Sequence, residues 1–156
     1  MKIKLLFINQ TQAGWIGDGL EEYVGRLKRY LPLEIREVNS PMRSGKSKDN
    51  VVKEEGEKVL SLLKSTDKLV LLDESGAEMN SVQLSVWLNK KMVAMNGDLV
   101  MLVGGAYGFS DEIVDRALEK ISLSKLTFTH QMVRIILVEQ LYRAMTILRN
   151  EPYHHS

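Results

Sequence analysis

The sequence predicts one α/β domain in which a mostly parallel sheet is covered by helices on both faces. Three observations carry this expectation. Short continuous apolar runs recur at 3–9, 68–73 and 99–103, as strands buried on both sides require. Segments with helical periodicity separate them, and strands alternating with helices imply parallel pairing. Finally, 156 residues are enough to bury about two-thirds of the unfolded surface in one core. No repeat, low-complexity segment or linker divides the chain, so one domain over 1–156 is expected.

The elements follow in order. Ile3 to Asn9 reads as a buried strand. Gly14 to Tyr30 reads as a helix whose apolar stripe takes in Trp15, Leu20, Tyr23, Val24 and Leu27, and it stops near Pro32. Leu33 to Val38 alternates apolar and charged residues, the pattern of a half-exposed strand near a sheet edge. Ser40 to Lys48 is a loop, and Asp49 to Lys64 a helix with Val52, Val59, Leu60 and Leu63 inward. Lys68 to Asp73 is a strand that turns at Glu74 to Ala77. Asn80, with Gln83 three residues on, caps the helix that runs to about Met95. After a turn at 96–98 comes the strand Leu99 to Val103, and Ser110, followed by two acids, starts another helix. Ser122 to Thr129 is a loop plus a brief strand, and Gln131 to Arg149 is the last helix.

Composition excludes several classes of function. Hydrophobic residues make up 44% and charged residues 26%, ordinary values for a soluble domain. No apolar run approaches the roughly 18 residues that span a bilayer, and the N-terminus lacks a signal-like apolar region, so a cytoplasmic protein is expected. Without cysteine, disulfides and thiolate metal sites are excluded. The net charge of +1 is low for a free-standing nucleic-acid binder, so any positive surface must be local or pooled between chains.

The last third holds most residue choices that packing alone does not explain. Gly104-Gly105-Ala106-Tyr107-Gly108 follows a buried strand, where ligands of open α/β sheets bind. It is neither a dinucleotide fingerprint nor a phosphate loop, and it reads equally as a tight strand-to-helix turn. Asp73 or Glu74 either binds a ribose hydroxyl or is a solvated turn residue. Ser122 to Thr129 is either a strand or a loop offering backbone groups to an adenine edge. On the last helix, Arg134, Glu139, Gln140 and Arg143 sit among apolar residues, where a charge needs a partner or a task. Glu139 and Arg143 also read as an ordinary i,i+4 pair. Tyr153, His154 and His155 are either a frayed tail or part of a polar site; no ligand spacing supports a metal there.

Taken together, the motifs resemble one family. They are Leu72-Asp73-x-x-Gly76, Val103-Gly104-Gly105-x-x-Gly108, Leu123-Ser124-Lys125-Leu126-Thr127-Phe128, His130-Gln131-Met132-x-Arg134, Glu139-Gln140-x-Tyr142-Arg143-Ala144 and Pro152-Tyr153-His154. In this order and spacing they are similar to the bacterial ribosomal RNA large-subunit methyltransferase H family, within the SPOUT class of knotted methyltransferases. Glu22-Tyr23 and Lys53-Glu54-x-Gly56 fit the same resemblance. Two positions depart from it: Thr129 stands where proline is expected, and Ala77 where lysine is common.

The resemblance implies a five-stranded, mostly parallel sheet with a C-terminal trefoil knot. It implies S-adenosylmethionine (SAM) as cofactor, no metal, and a pocket made by Leu72, Gly104, Leu123, Ser124, Lys125, Leu126, Thr127 and Phe128. The implied reaction is methylation of N3 of a pseudouridine in 23S rRNA, by a homodimer packed through the last helix. Arg143, Tyr153 and His154 become the catalytic candidates, His154 as a possible general base. Arg43, Lys46, Lys48, Arg134 and Arg143 from two chains would pool positive charge, and the acceptor would be a folded large subunit or assembled ribosome. The competing reading is a non-catalytic RNA- or ribosome-binding protein on the same scaffold. A receiver or flavodoxin domain is disfavoured, because neither clustered acids nor a phosphate loop follows the first strand.

Overall fold

The computed structural model describes residues 1–41, 44–94 and 96–155. Five strands, β1 (Ile3–Ile8), β2 (Leu33–Val38), β3 (Lys68–Glu78), β4 (Leu99–Val103) and β5 (Glu119–Ser122), form one sheet in the order β2-β1-β4-β3-β5. Every pairing in it is parallel. The helices are α1 (Trp15–Leu27), α2 (Lys48–Leu62), α3 (Ser81–Ala94), α4 (Asp111–Arg116) and α5 (Met132–Leu148). Among the described residues no helix is long and apolar enough to cross a membrane.

The period of two along each strand splits the core into two layers. Ile3, Leu5 and Phe7 of β1, Val70 and Leu72 of β3, and Leu99, Met101 and Val103 of β4 face one cluster, which Leu137, Val138 and Leu141 of α5 complete. Leu6, Ile8, Leu69, Leu71, Val100 and Leu102 face the other, under Val59 of α2 and Ile113 of α4. Each such burial contributes about 1.5–3 kcal/mol. Helix starts are fixed locally. Asn80 and Gln83 exchange side-chain-to-backbone bonds of 2.8 and 2.9 Å, the expected capping box. Ser110 Oγ accepts from Ile113 N at 3.3 Å, and Thr129 Oγ1 accepts from Met132 N at 3.1 Å. Thr129 thus holds the turn that leads into the last helix, which gives the departure at that position a structural reason.

Four expectations are corrected. Trp15 lies off the buried stripe of α1, 69% exposed, because Gly14 at φ +80° turns the chain just before the helix. On α2, Val59 is buried and Leu60 and Leu63 pack against the core as expected, but Val51, Glu55 and Gly56 rather than Val52 complete the buried face. The strand at 68–73 does not turn at Glu74 but continues to Glu78 through a bulge, both Leu72 and Ala77 pairing with Ile121. The short strand ends at Ser122, and the residues after it are loop. The expected helix end at Met95 lies outside the described residues.

Candidate active site

The carboxyl ends of β3, β4 and β5 open into a cavity of about 520 Å³, within the usual size range of small-molecule sites. Glycines create its floor. A Cβ on Gly76 would lie 2.6–2.7 Å from backbone atoms of Ile121 and Lys120, so glycine there lets the β3 extension lie against β5. A Cβ on Gly104 would lie 2.8 Å from the Phe109 ring. Gly108 takes φ +80° and closes a turn in which its N–H donates to Gly105 O at 3.3 Å.

Of the residues expected to hold a cofactor, Leu72, Gly104, Leu123, Ser124, Leu126, Thr127 and Phe128 line this cavity. Lys125 is not among them. Its side chain is 84% exposed, with the ammonium 3.9 Å from Glu78. The 123–130 segment is a loop, ordered from within. Ser122 Oγ donates to Ser124 O at 2.8 Å, Leu126 N donates to Ser124 Oγ at 2.9 Å, and Thr127 Oγ1 donates to Glu74 Oε2 at 2.9 Å. Asp73 and Glu74 give the cavity an acidic side. Hydrogen bonds from Ser75 hold the Asp73 carboxyl below its ordinary value, so it stays ionised at neutral pH. Apolar walls and this acidic side suit a small ligand with an apolar body and a cationic group. His130 and Val133 also line the cavity; their place just before and inside the first turn of α5 is the signal that sequence reading passed over.

The other expected site forms at the far end of α5. Arg143 donates to Glu139 Oε1 from Nη2 at 2.5 Å and from Nε at 3.1 Å. Tyr153 donates to the same oxygen at 3.0 Å, and Gln140 donates to Glu139 Oε2 at 2.7 Å. The pair is half-buried rather than a solvated i,i+4 contact. The Arg143 guanidinium lies 4.8 Å from the Tyr153 ring centroid, and the Tyr153 ring meets Tyr142 edge-on at 4.7 Å. Burial, with hydrogen bonding to Tyr23 and Glu139, raises the Tyr153 phenol above its ordinary value, so it remains a donor. His154 Nδ1 is 3.3 Å from Arg143 Nη1. Guanidinium only donates, so in this contact Nδ1 accepts and Nε2 is left as the ring's N–H. The tail is therefore not frayed: Tyr30 also donates to Glu151 at 2.5 Å.

None of Arg143, Tyr153 and His154 lines the cavity. From Met132 to Arg143 the helix rises about 16 Å, so one chain holds its two sites at opposite ends of α5. The expected pool of positive charge is also corrected in part. Arg134 is wholly buried and does not reach solvent. Arg43 lies outside the described residues, Lys46 pairs with Glu54, and Lys48 remains exposed. Among the described residues no group of three His, Cys, Asp or Glu side chains gathers. Sequence reading also missed Glu55, 5% exposed, which accepts from Ser40 Oγ at 2.5 Å. Its carboxylate lies 3.0–3.1 Å from where a Gly105 Cβ would stand.

Comparison with known proteins identifies the family. A family model described as a predicted SPOUT methyltransferase matches residues 1–154. The chain is 50% identical to the ribosomal RNA large subunit methyltransferase H of Parabacteroides distasonis, with all of both chains covered. It is 46% identical to the protein of that name from Citrifermentans bemidjiense, again over all of both chains. With the one from Cytophaga hutchinsonii it shares 44%, covering 99% of this chain and 100% of that one. Membership implies the C-terminal knot, and the path fits it: after β5 at one edge the chain returns across the sheet's carboxyl end, where Gln131 bonds to Gln10 and Gln12 beyond β1. The chain belongs to the SPOUT methyltransferase family and groups with the relatives named ribosomal RNA large subunit methyltransferase H.

Proposed function

We propose that this protein transfers a methyl group from SAM to N3 of a pseudouridine in 23S rRNA, within the large subunit or assembled ribosome, and that it works as a homodimer packed through α5. The observation that carries the reading is the separation of the two sites along α5. A donor pocket and a polar cluster at opposite ends of one helix cooperate only if a second copy sets its cluster beside the first copy's pocket. Half-buried Met132, Ile136, Gln140 and Ile147 lie along one side of α5 and offer the seam. A ribosomal acceptor fits a cytoplasmic location.

When bound, SAM supplies an already activated methyl group on its sulfonium. The chain's residues bind, align and stabilise. Leu72, Leu123, Leu126 and Phe128 wall the adenosine from water, and the acidic side formed by Asp73 and Glu74 favours the sulfonium's charge. Methylation at N3 requires the imide to lose its proton, so negative charge develops on the base. Arg143, with guanidinium N–H groups left over after its bonds to Glu139 and His154, and His154 Nε2–H are donors, so the cluster acts by holding that anion, while Tyr153, its one proton given to Glu139, packs its ring on the guanidinium. Glu139 fixes Arg143 and Tyr153 in place. His154 is therefore assigned to donation rather than to proton abstraction, and the N3 proton leaves to solvent water as the base ionises, before the methyl is transferred.

The test is incubation with labelled SAM and large subunits from cells lacking the enzyme, then nucleoside digestion. Label in a methylated pseudouridine supports the reading. SAM binding without label in any ribosomal RNA overturns it. His154→Ala with full turnover at saturating substrate would remove the donor role.

A further inference from the structure

The mouth of the cavity carries an aromatic side chain that methyl-donor binding does not use. Ala106 and Tyr107 form the tip of the Gly105–Gly108 turn. Gly105, Ala106 and Gly108 of that turn line the cavity; Tyr107 between them is not among the lining residues and is 40% exposed. The turn is braced from below: Gly105 sits on the buried Glu55 carboxylate, and Gly104 sits on Phe109. Beside the ring, the exposed Lys48 ammonium lies 5.1 Å from its centroid. Lys48 opens α2, where the helix dipole disfavours a cation, although Asp49 offsets part of that cost.

We infer that Tyr107 and Lys48 form a nucleotide subsite for the acceptor RNA, the Tyr107 ring stacking on a base that flanks the methylated residue and Lys48 meeting its phosphate. The inference rests on the rRNA reading above and adds the contact that positions the acceptor strand. An exposed ring on a rigid turn provides a stacking platform at little entropic cost, and single-stranded bases are held by such platforms. With a net charge of +1, long-range attraction to RNA is weak, so contacts at the mouth must supply affinity. An aromatic face beside one ammonium matches a base and its phosphate.

The experiment measures methyl transfer from labelled SAM while large-subunit concentration is varied. Tyr107→Ala is expected to raise KM for subunits about tenfold, with kcat within about twofold and SAM affinity by calorimetry unchanged. Tyr107→Phe and Tyr107→Trp keep the ring and are expected to keep KM. Lys48→Met is expected to raise KM and to flatten its salt dependence by about one counterion. Unchanged melting temperatures confirm folding. A Tyr107→Ala enzyme with wild-type KM overturns the inference, as does equal weakening of SAM, which would place Tyr107 in the donor pocket. Absence of transfer by the wild-type chain would overturn the methyltransferase reading and this inference with it.

Discussion

Arg134 Nη2 donates to the Ile8 carbonyl at 2.6 Å across 126 residues of sequence. The same guanidinium donates from Nε to His130 O at 3.0 Å and from Nη1 to Thr11 Oγ1 at 2.9 Å, and it lies 4.9 Å from the Phe7 ring centroid. One buried cation thus ties the end of the first strand to the start of the last helix. His130, whose carbonyl it holds, lines the candidate cofactor cavity.

Arg134→Ala would remove the guanidinium donor from three oxygens, the Ile8 carbonyl buried and the other two partly buried. Charged hydrogen bonds contribute about 1.5–3 kcal/mol each, and a loss of about 3 kcal/mol or more is expected in denaturant unfolding. Arg134→Lys keeps the charge without the fork and should recover only part. A wild-type unfolding midpoint for Arg134→Ala would contradict this account.

Lys4 bridges two acids, 3.1 Å from Asp67 and 2.9 Å from Asp98. Asp67 is 1% exposed, and among the described residues its Oδ1 has no hydrogen-bond partner. Lys4→Met takes away the carboxylate's counter-charge and leaves it, among the described residues, only the Lys64 N–H at 3.0 Å, so a loss of about 3 kcal/mol is expected. The hydrogen bond from Lys4 is also the main cause holding Asp98 below its ordinary 3.8. A depressed carboxyl contributes stability that is present above its unfolded value and is lost as pH falls through the folded one. The acid limb of a stability–pH curve should therefore be shallower in Lys4→Met.

Tyr30 tests the opposite limb. Its hydrogen bond to Glu151, aided by burial, pushes the phenol up to about 12 from 10.0. A raised phenol contributes stability that is full below the unfolded value and lost as pH rises through the folded one. Stability should fall between about pH 10 and 12, and Tyr30→Phe should remove that part of the fall. Ultraviolet titration of the wild-type chain would show one more late-ionising tyrosine than the variant, which keeps only the raised Tyr153 phenol.

Gly76→Ala would force the β3 extension off β5, since its Cβ would meet Ile121 backbone at 2.6 Å. Calorimetry should show weaker SAM binding, because Leu72 and Glu74 line the cavity just before that position. Retained affinity would mean that the bulge does not shape the pocket.

Much of the fold was legible because both signals that write it are local. Continuous apolar runs marked β1, β3 and β4, and the polar pairs at 80/83 and the serine at 110 marked helix starts. Trp15 was misplaced because periodicity cannot see the turn at Gly14, which sets where the helix begins. The β3 extension was missed because Glu74-Ser75-Gly76 is turn chemistry locally. Only the absence of a Cβ at Gly76 lets tertiary pairing with β5 override it. The cavity-lining loop was legible through motif order. Arg134 and Glu55 were not: a charge in an apolar helix announces that it has a role, but not whether the role is structural. Lys125 was carried into the pocket by its neighbours in sequence, yet the loop turns it outward.

The shared-site claim is tested most directly by mixed dimers purified through two different tags. One subunit carries Leu123→Arg, which places a cation in the pocket wall. The other carries Tyr153→Ala with His154→Ala. Each variant alone is expected to transfer almost no methyl to large subunits. Mixed dimers should regain transfer, because one intact pocket then faces one intact tail. Mixed dimers no more active than the two variants added together would show that each chain works with its own tail, and would contradict the account.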